Sequence, residues 1–295
     1  MTETVAETAI GMPAPGLRGA IGQYTGYRLL GFPPGLHRGL PSRHLTFIVS
    51  IGDPIEVVVQ PDPTQAPHAY RFVTGGFQCT HAVISHRGNQ EGVAVQLTPA
   101  GCRALLGRPA SDIWNVSIEA GDLIGGTGTE LWERLQGTIG WRERFAICDE
   151  VLGRLVQPTH ARRDRPEVWR AWDLLEASDG TVTVNALAAE VGWSRRHLAK
   201  SFDAEFGFTP KVAARVMRFE RANQLLRSST RPAIAEVAAV CGYYDQSHLT
   251  RDFVDLAGTS PGEWLASEHG SVEPDADIIH VDGDLGADTS LVLAD

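Results

Sequence analysis

A repeated block in the last third of the chain constrains the fold more than any other feature of the sequence. Residues 187–210 read LAAEVGWSRRHLAKSFDAEFGFTP, and residues 237–261 read VAAVCGYYDQSHLTRDFVDLAGTSP. Both copies contain an Ala pair, a Gly followed by an aromatic residue, a His-Leu pair, a Phe, a second Gly and a Pro. This order predicts a short helix, a sharp turn and a second helix in each copy, which is the pattern of a helix-turn-helix motif.

Each repeated residue type has a physical role in such a motif. Gly192 follows the first helix, where the chain must turn and a positive φ angle is favoured. Leu198 and Phe202 are four residues apart, so they share one buried face of the second helix. The opposite face stays polar and can enter a major groove of DNA, although a hairpin duplicated for packing alone would share the pattern. The equivalent residues of the second copy are Gly242, Leu249 and Phe253.

The distribution of charge favours a surface that binds nucleic acid, although the whole chain carries a net charge of −10. Eight acidic residues and no Lys or Arg lie in the tail from Glu268 to Asp295. Between Arg195 and Arg231 there are nine basic and three acidic residues, a local charge of +6. A basic patch in an acidic protein is typical of a DNA-binding face. A solvated helix surface would give the same local charge.

Length and composition exclude several classes of protein. The 295 residues predict two domains rather than one. The sequence contains no apolar run long enough to span a membrane, and its N-terminus does not read as a secretory signal. We therefore expect a cytoplasmic protein without a membrane partner. The four cysteines are not clustered and no P-loop or dinucleotide fingerprint is present, so we expect no cofactor.

Cys79, His81 and His86 lie close together in the sequence, and they are the residues that could hold a metal ion. Cys79 and His81 would share one face of a strand, but His86 would point to the other face. The spacing therefore favours free thiols and no metal site.

The chain divides into a β-rich half and a helical half, so the predicted fold class is α+β with two domains. Short apolar runs at 45–51, 55–60 and 92–97 alternate with turn residues and predict strands. Helices are predicted next to these strands at 98–107, 129–136 and 141–156. The C-terminal half is predicted to be all-α, with helices at 167–177, 185–191, 194–206, 210–227, 233–241, 246–257 and 261–267. Ser194, Thr209, Asp245 and Ser260 precede four of these helices and are expected to cap them.

Composition also predicts the order of the segments. We expect a disordered N-terminus at 1–20, because this stretch is rich in small residues, Gly and Pro. A Pro-containing linker and an acidic disordered tail are expected to flank the helical domain. The predicted segments after the N-terminus are a β-rich sensor or dimerisation domain at 21–156, a linker at 157–166, a double helix-turn-helix domain at 167–267 and the tail at 268–295.

Residues 167–267 resemble the DNA-binding domain of the AraC/XylS family of transcription regulators. The resemblance rests on LAAEVGWSRRHLAKSF, on the pattern Arg218-x3-Ala222-x2-Leu225-Leu226, on AEVAAVCGYYDQSHLTRDF and on the final Gly-Thr-Ser-Pro. It implies two helix-turn-helix units on one rigid linker helix, with base contacts from the second helix of each unit. The free faces of these helices carry the candidate DNA-binding residues, which are Arg195, Arg196, Ala199 and Lys200 in the first unit and Gln246, Ser247, His248 and Arg251 in the second.

Two residues depart from the pattern that the resemblance implies. Ala199 carries only a methyl group, which can touch a thymine methyl but cannot donate a hydrogen bond. Tyr244 replaces the small or acidic residue expected at its position. The two candidate faces also differ, because the first is cationic and the second offers amide, hydroxyl and imidazole groups with one Arg. One protomer is therefore expected to bind two unlike DNA segments about one helical turn apart.

The segment from Tyr27 to about Leu155 is similar to uncharacterised β-rich domains that precede this type of DNA-binding domain. A β-sandwich or a small barrel with flanking helices suits its pattern. The similarity implies a domain that senses a small effector or mediates self-association. The expected partners are double-stranded DNA, a small-molecule effector, a second copy of the chain and, for an activator, RNA polymerase.

Together these features predict a sequence-specific transcription regulator that is not an enzyme. One alternative is a DNA-repair enzyme that carries the same helix-turn-helix pair, but such enzymes use clustered cysteines on a zinc site. The sequence contains no nucleophile-elbow motif and no paired catalytic signature. A second alternative is a nucleoid-type DNA binder, which would show little sequence preference in a binding assay.

Overall fold

The computed structural model describes residues 4–156, 165–228, 230, 232–268 and 277–281. The N-terminal half consists of strands with flanking helices and the C-terminal half of helices, which confirms the predicted α+β class. Within the described ranges, no helix is long and apolar enough to cross a membrane.

The bounds of the predicted C-terminal helices agree with the structure to within one residue at each end. The strands are β1 (Val5–Gly11), β2 (Ile21–Leu30), β3 (Gly35–Gly39), β4 (Leu45–Ser50), β5 (Ile55–Val59), β6 (His68–Tyr70), β7 (Phe72–Gly75), β8 (Ala82–His86), β9 (Gln90–Leu97), β10 (Ser117–Glu119) and β11 (Asp277–Val281). The helices are α1 (Pro99–Leu106), α2 (Gly121–Ile124), α3 (Gly126–Gln136), α4 (Trp141–Gly153), α5 (Pro166–Ala177), α6 (Val184–Glu190), α7 (Arg195–Phe206), α8 (Pro210–Arg227), α9 (Ile234–Val240), α10 (Gln246–Ala257) and α11 (Pro261–Glu268).

Two sheets form the N-terminal half. The larger sheet has seven strands in the order β10-β7-β4-β9-β2-β1-β11, in which the β1–β11 pair is parallel and the other pairs are antiparallel. The smaller sheet is antiparallel and has the order β3-β8-β5-β6. The sheets pack face to face through an apolar cluster in which Val57 and Tyr70 of the smaller sheet meet Val73 of the larger one. Helix α4 covers the other face of the larger sheet, where Phe145 stacks on Tyr24 with ring centroids 5.5 Å apart.

The structure corrects the predicted disorder of residues 1–20 for the described residues from Thr4 onward. Strand β1 pairs with β2 along its whole length. Ala9 and Leu17 are buried in the main core, and Gly11 lies so close to the Phe145 ring that a Cβ there would clash. Close packing against Phe145 therefore requires a residue without a side chain at Gly11. The number of small residues in this segment, taken alone, instead predicts disorder.

The predicted disordered tail at 268–295 also differs from the structure. Residues Asp277–Val281 form β11, which runs parallel to β1 at the edge of the larger sheet. An edge strand exposes unpaired N–H and C=O groups, and the sequence DIIHV contains three β-branched residues that suit such pairing. The other tail residues, 269–276 and 282–295, lie outside the described residues, as do residues 157–164 of the predicted linker.

Besides the small cluster between the two sheets, the molecule has two larger hydrophobic cores. The larger core runs from the seven-stranded sheet through α4 and α5 to α7, and it includes Phe77, Trp172 and Phe206. The smaller core surrounds the C-terminal half of α8 and includes Phe219 and Phe253. Helix α8 contributes residues to both cores. It therefore links the first helix-turn-helix unit, α6 with α7, to the second unit, α9 with α10.

Three of the four predicted side-chain caps are present in the structure. Ser194 accepts a hydrogen bond from a backbone N–H in the first turn of α7 at 3.2 Å, and Asp245 does the same for α10 at 2.7 Å. Ser260 caps α11 in the same way at 3.3 Å. These three predicted caps are confirmed. The fourth prediction is wrong, because the Thr209 side chain makes no cap hydrogen bond, and the proline that follows it already holds the helical φ angle.

A buried ion pair joins the N-terminal domain to α7. The Arg103 guanidinium donates two hydrogen bonds to the Glu205 carboxylate, at 2.5 and 2.6 Å. The Glu205 side chain is only 10% exposed, so its charge depends on this partner. Nearby, the rings of Trp114 and Phe208 lie 5.1 Å apart across the same boundary. These contacts hold the first helix-turn-helix unit against the β-rich domain.

Replacing Arg103 with Met should lower the free energy of unfolding by about 3 kcal/mol, because it leaves the Glu205 carboxylate buried without its partner. Urea titration followed by tryptophan fluorescence measures the change. The matched control is Arg87→Met, which removes an ion pair whose arginine is 77% exposed and should cost less than about 1 kcal/mol. An equally small cost for Arg103→Met would show that the buried pair does not hold the two halves together.

Candidate nucleic-acid interface and the cavity beside it

The two copies of the repeat fold into matching units. Each unit has a first helix of 7 residues and a second helix of 12 residues. The turn glycines Gly192 and Gly242 have φ angles of 69° and 71°, which other residues adopt only with strain. In both turns the aromatic residue, Trp193 or Tyr243, donates its backbone N–H to an alanine carbonyl at 2.9 Å. The duplication predicted from the sequence therefore extends to single hydrogen bonds.

The candidate residues of α7 share one face of the helix. Arg195, Arg196 and Lys200 are exposed, and Ala199 is half-buried beside them. Arg195, Arg196 and Ala199 line a shallow surface groove together with the first residues of α6 and of α8, including Lys211. The groove thus brings three cationic side chains to one surface, where they can contact a phosphate backbone.

The candidate residues of α10 are less uniform. Gln246, Ser247 and Arg251 are exposed, and Arg251 Nε donates a hydrogen bond to the Ser247 carbonyl at 3.3 Å. His248 is half-buried, and its ring packs edge-on against Tyr243 with centroids 5.2 Å apart. His248 therefore supports the turn of its own unit, and only part of its ring is accessible to a ligand.

Three residues beside these faces are absent from the set predicted from the sequence. His197 is the repeat equivalent of His248, and its ring packs on Trp193 at 4.4 Å in the same edge-on manner. Tyr244 precedes the cap of α10 and is 93% exposed. Lys211 lies in the groove beside α7. The alignment of the two copies could have identified His197, whereas Lys211 comes near α7 only through the packing of α8.

The local charge of +6 counted from the sequence overstates the cationic surface. Arg215 donates hydrogen bonds to Asp252 at 2.8 Å and to Asp255 at 2.5 Å. Arg218 donates to a backbone carbonyl at 2.8 Å. These arginines therefore stabilise the domain itself, and a count along the chain cannot separate them from arginines on the free face.

A cavity of about 600 Å³ lies between the β-rich domain and the C-terminal helices. Tyr27, Leu29 and Ile84 contribute apolar surface to its sheet side. The same side also carries the charged residues Asp53 and Glu56. Its helical side is formed by Asn223 of α8 and Trp264 of α11, with Arg227 at the end of α8. The cavity is large enough for a small organic molecule.

Several polar atoms in the cavity wall are buried and have no hydrogen-bond partner within the described part of the chain. They are His86 Nδ1, Arg38 Nε and Asn223 Oδ1. The ring of His37 lies 5.9 Å from that of His86. Burial, and then the neighbouring His86, lower the pKa of His37 to about 4. Both donors and acceptors are thus available to a molecule that fills the cavity.

The structure places two of the residues that were considered as metal ligands in different surroundings. His86 lies in the cavity beside His37, whereas His81 packs against Gly258 at the end of α10. Cys79 lies in the segment before β8, and burial raises the pKa of its thiol.

A protein-family model described as "Helix-turn-helix domain" matches residues 187–267. The match covers both copies of the repeat and the linker helix between them. The C-terminal domain is an AraC-type helix-turn-helix domain. The candidate residues of α7 and α10 all lie within the matched range of this AraC-type domain.

Curated proteins that are similar to the AraC-type domain are transcription regulators. YbfI of Bacillus subtilis (strain 168), an uncharacterized HTH-type transcriptional regulator, is 38% identical over 68 residues, which are 23% of this chain and 24% of YbfI. The transcriptional activator NphR of Rhodococcus sp is 31% identical over 117 residues, which are 40% of this chain and 34% of NphR. The similarity therefore spans about a quarter to a third of the length of these relatives.

A solved structure of ToxT from Vibrio cholerae is similar over most of the chain. The similarity covers 84% of this chain and 98% of ToxT, with a TM-score of 0.50 and 12% sequence identity. At this identity the likeness concerns the fold alone. The fold of this chain, a β-rich half followed by a helical half, is therefore similar to that of a solved structure over most of its length.

The lowered pKa of His37 predicts that stability falls in mildly acidic solution. Between pH 6.5 and pH 4 the unfolded chain binds a proton at this residue and the folded chain does not, so folding is disfavoured as the pH falls. The expected loss is about 2 kcal/mol, measured by urea titration at several pH values. A His37→Gln variant should lose less stability over this range. An unchanged pH dependence in that variant would contradict the assignment.

Proposed function

We propose that this protein is a sequence-specific DNA-binding transcription regulator whose N-terminal half responds to a small molecule or to self-association. The observation that carries the proposal is the pair of matching helix-turn-helix units, each with a polar face on its second helix. The similarity of the AraC-type domain to HTH-type transcription regulators supports this function and favours a non-enzymatic role. A cytoplasmic location, homodimer formation and contact with RNA polymerase stay predictions.

Helices α7 and α10 are the proposed reading helices. Arg196 lies on the exposed face of α7, where a guanidinium can donate two hydrogen bonds to one guanine. Lys200 lies one turn further along the same face and offers a point charge for a base or a phosphate. The proposed DNA-binding residues are Arg195, Arg196, Ala199, Lys200, Gln246, Ser247, His248 and Arg251.

Helix α8 sets the spacing of the two proposed contacts. Its 18 residues span about 27 Å at about 1.5 Å per residue. Successive major-groove openings on one face of B-DNA are about 34 Å apart, and the offset of each proposed reading helix from the ends of α8 can supply the difference. Each unit can therefore face its own opening. Because the two faces carry different chemical groups, the proposed DNA site consists of two unlike segments about one turn apart.

The cavity is the proposed site of a small effector. The accessible surface of the whole cavity wall is more apolar than polar, which favours a ligand with an apolar body. Asn223 Oδ1 would accept a hydrogen bond from the molecule, and Arg38 Nε would donate one to it. We therefore propose a compact, mostly apolar molecule that carries at least one hydrogen-bond donor and one acceptor.

Selection of binding sites from random DNA with the purified full-length protein tests the proposed function. Enrichment of one motif with two segments about ten base pairs apart would support a sequence-specific regulator. Binding that depends on salt and DNA length but enriches no sequence would indicate a non-specific binder and would contradict the proposal.

Replacing Arg196 with Ala should weaken binding to the selected site by about 1–3 kcal/mol and relax the sequence preference at one base pair, because a bidentate contact to guanine is lost. Fluorescence anisotropy with the selected site and with variants at each position measures both effects. Arg18→Ala, which removes an exposed arginine of the N-terminal domain, is the control and should bind normally. If Arg196→Ala retains both affinity and base preference, Arg196 is not a reading residue.

A further inference from the structure

The two helix-turn-helix units are attached to the N-terminal domain in different ways. The first unit is part of the larger core, where Phe77 of the N-terminal domain meets Phe206 at 6.5 Å and Phe208 at 5.0 Å between ring centroids. The second unit packs around α8 in the smaller core, where the N-terminal domain contacts it through the partly buried Leu40 and through His81, which packs against Gly258 at the end of α10. The first unit is thus continuous with the β-rich domain, whereas the second has a core of its own.

Differences between equivalent residues of the repeat account for this asymmetry. Helix α7 ends with Glu205 and Phe206, and the equivalent residues of α10 are Leu256 and Ala257. Glu205 pairs with Arg103 of the N-terminal domain. Leu256 and Ala257 are completely buried in the smaller core. The last two residues of the second helix therefore contact the N-terminal domain in the first unit, whereas in the second unit they are buried in the smaller core.

The cavity lies on the side of the second unit. Its helical wall consists of Asn223 and Arg227 from the C-terminal half of α8 and Trp264 from α11, and no lining residue among those described comes from α6, α7, α9 or α10. The Trp264 ring connects the cavity to α10, because it lies 5.8 Å from the ring of Phe253. Trp264 also belongs to the smaller core, and the Arg227 guanidinium lies 5.6 Å from the centre of its ring. A molecule in the cavity would therefore touch residues that form or border the core of the second unit.

We propose that the second helix-turn-helix unit is the adjustable half of the DNA-binding domain, and that occupancy of the cavity sets its orientation while the first unit stays fixed to the N-terminal domain. This inference rests on the proposed function in that the cavity is taken as the effector site. A molecule that contacts Asn223 and Trp264 in one orientation of α9, α10 and α11, and not in others, stabilises that orientation by the difference in its affinity. The first unit keeps its position on the N-terminal domain while the orientation of the second unit changes relative to it.

Hydrogen exchange in the free full-length protein tests the asymmetry directly, without any variant. Amides of α7 should exchange together with those of β9, because both belong to the larger core. Amides of α9 and α10 should exchange at least about ten-fold faster. Equal protection of α7 and α10 would overturn the inference.

Filling the cavity tests the coupling. Leu29→Trp adds a larger side chain to the sheet side of the cavity, away from the helices. This substitution should change the hydrogen-exchange rates of amides in α9 and α10 at least about three-fold and leave the rates in α6 and α7 nearly unchanged. The control is Val59→Trp, which adds the same ring at a position that is 51% exposed and outside the cavity lining, and it should change neither unit.

Equal changes in both units, or no change in either, would overturn the coupling. If Leu29→Trp fails to fold, the measurement on the unsubstituted protein still decides whether the second unit is the separate one. Neither experiment contains DNA, so their outcome does not depend on sequence-specific binding. Conversely, a failed site selection would refute the proposed function and leave the difference in exchange intact.

Discussion

Helix α8 packs in both hydrophobic cores, and the position of each proposed reading helix depends on it. Met217 lies in the larger core and Phe219, two residues further along, lies in the smaller one, so roughly opposite faces of a single turn of α8 contact the two cores. The N-terminal domain also contacts the middle of this helix, since Ser42 donates to Glu220 at 2.7 Å and Arg43 pairs with the same carboxylate. A change at one end of α8 can therefore reach the other end only through a bend of the helix or through repacking around it.

In this arrangement, the two helix-turn-helix units of the AraC-type domain are positioned by different parts of the molecule. The first unit takes its position from the β-rich domain, through aromatic packing and the buried Arg103–Glu205 pair. The second unit takes its position from the C-terminal half of α8 and from the walls of a cavity. A shift of the second unit by a few degrees is enough to change its fit to a groove, because contacts to bases require donor–acceptor distances of about 3 Å. Regulation of DNA binding by a small molecule then needs no large movement of domains.

The sequence predicts the helices of the C-terminal domain well, because hydrophobic periodicity, caps and turn glycines are local signals. It predicts β1 and β11 wrongly, because these strands depend on pairing with each other and with β2, from opposite ends of the chain. The free face of α7 follows from periodicity alone. The half-buried state of His248 and the ion pairs of Arg215 cannot be predicted from periodicity, because they depend on which residues the fold brings next to them. The cavity likewise has no signature in the sequence, since its walls come from six strands, the loops beside them and two helices, which meet only in the fold.

In the proposed complex, one chain reads two DNA segments at a spacing set by α8. The most direct measurement is the affinity of the purified protein for a selected site with either five or ten base pairs inserted between its two segments. Five base pairs turn the second segment to the opposite face of the duplex, and ten restore the face but double the distance to about 68 Å. A helix of about 27 Å cannot follow either change, so both insertions should reduce binding towards the non-specific level. Full affinity after either insertion would show that α8 does not set the spacing and would contradict the account.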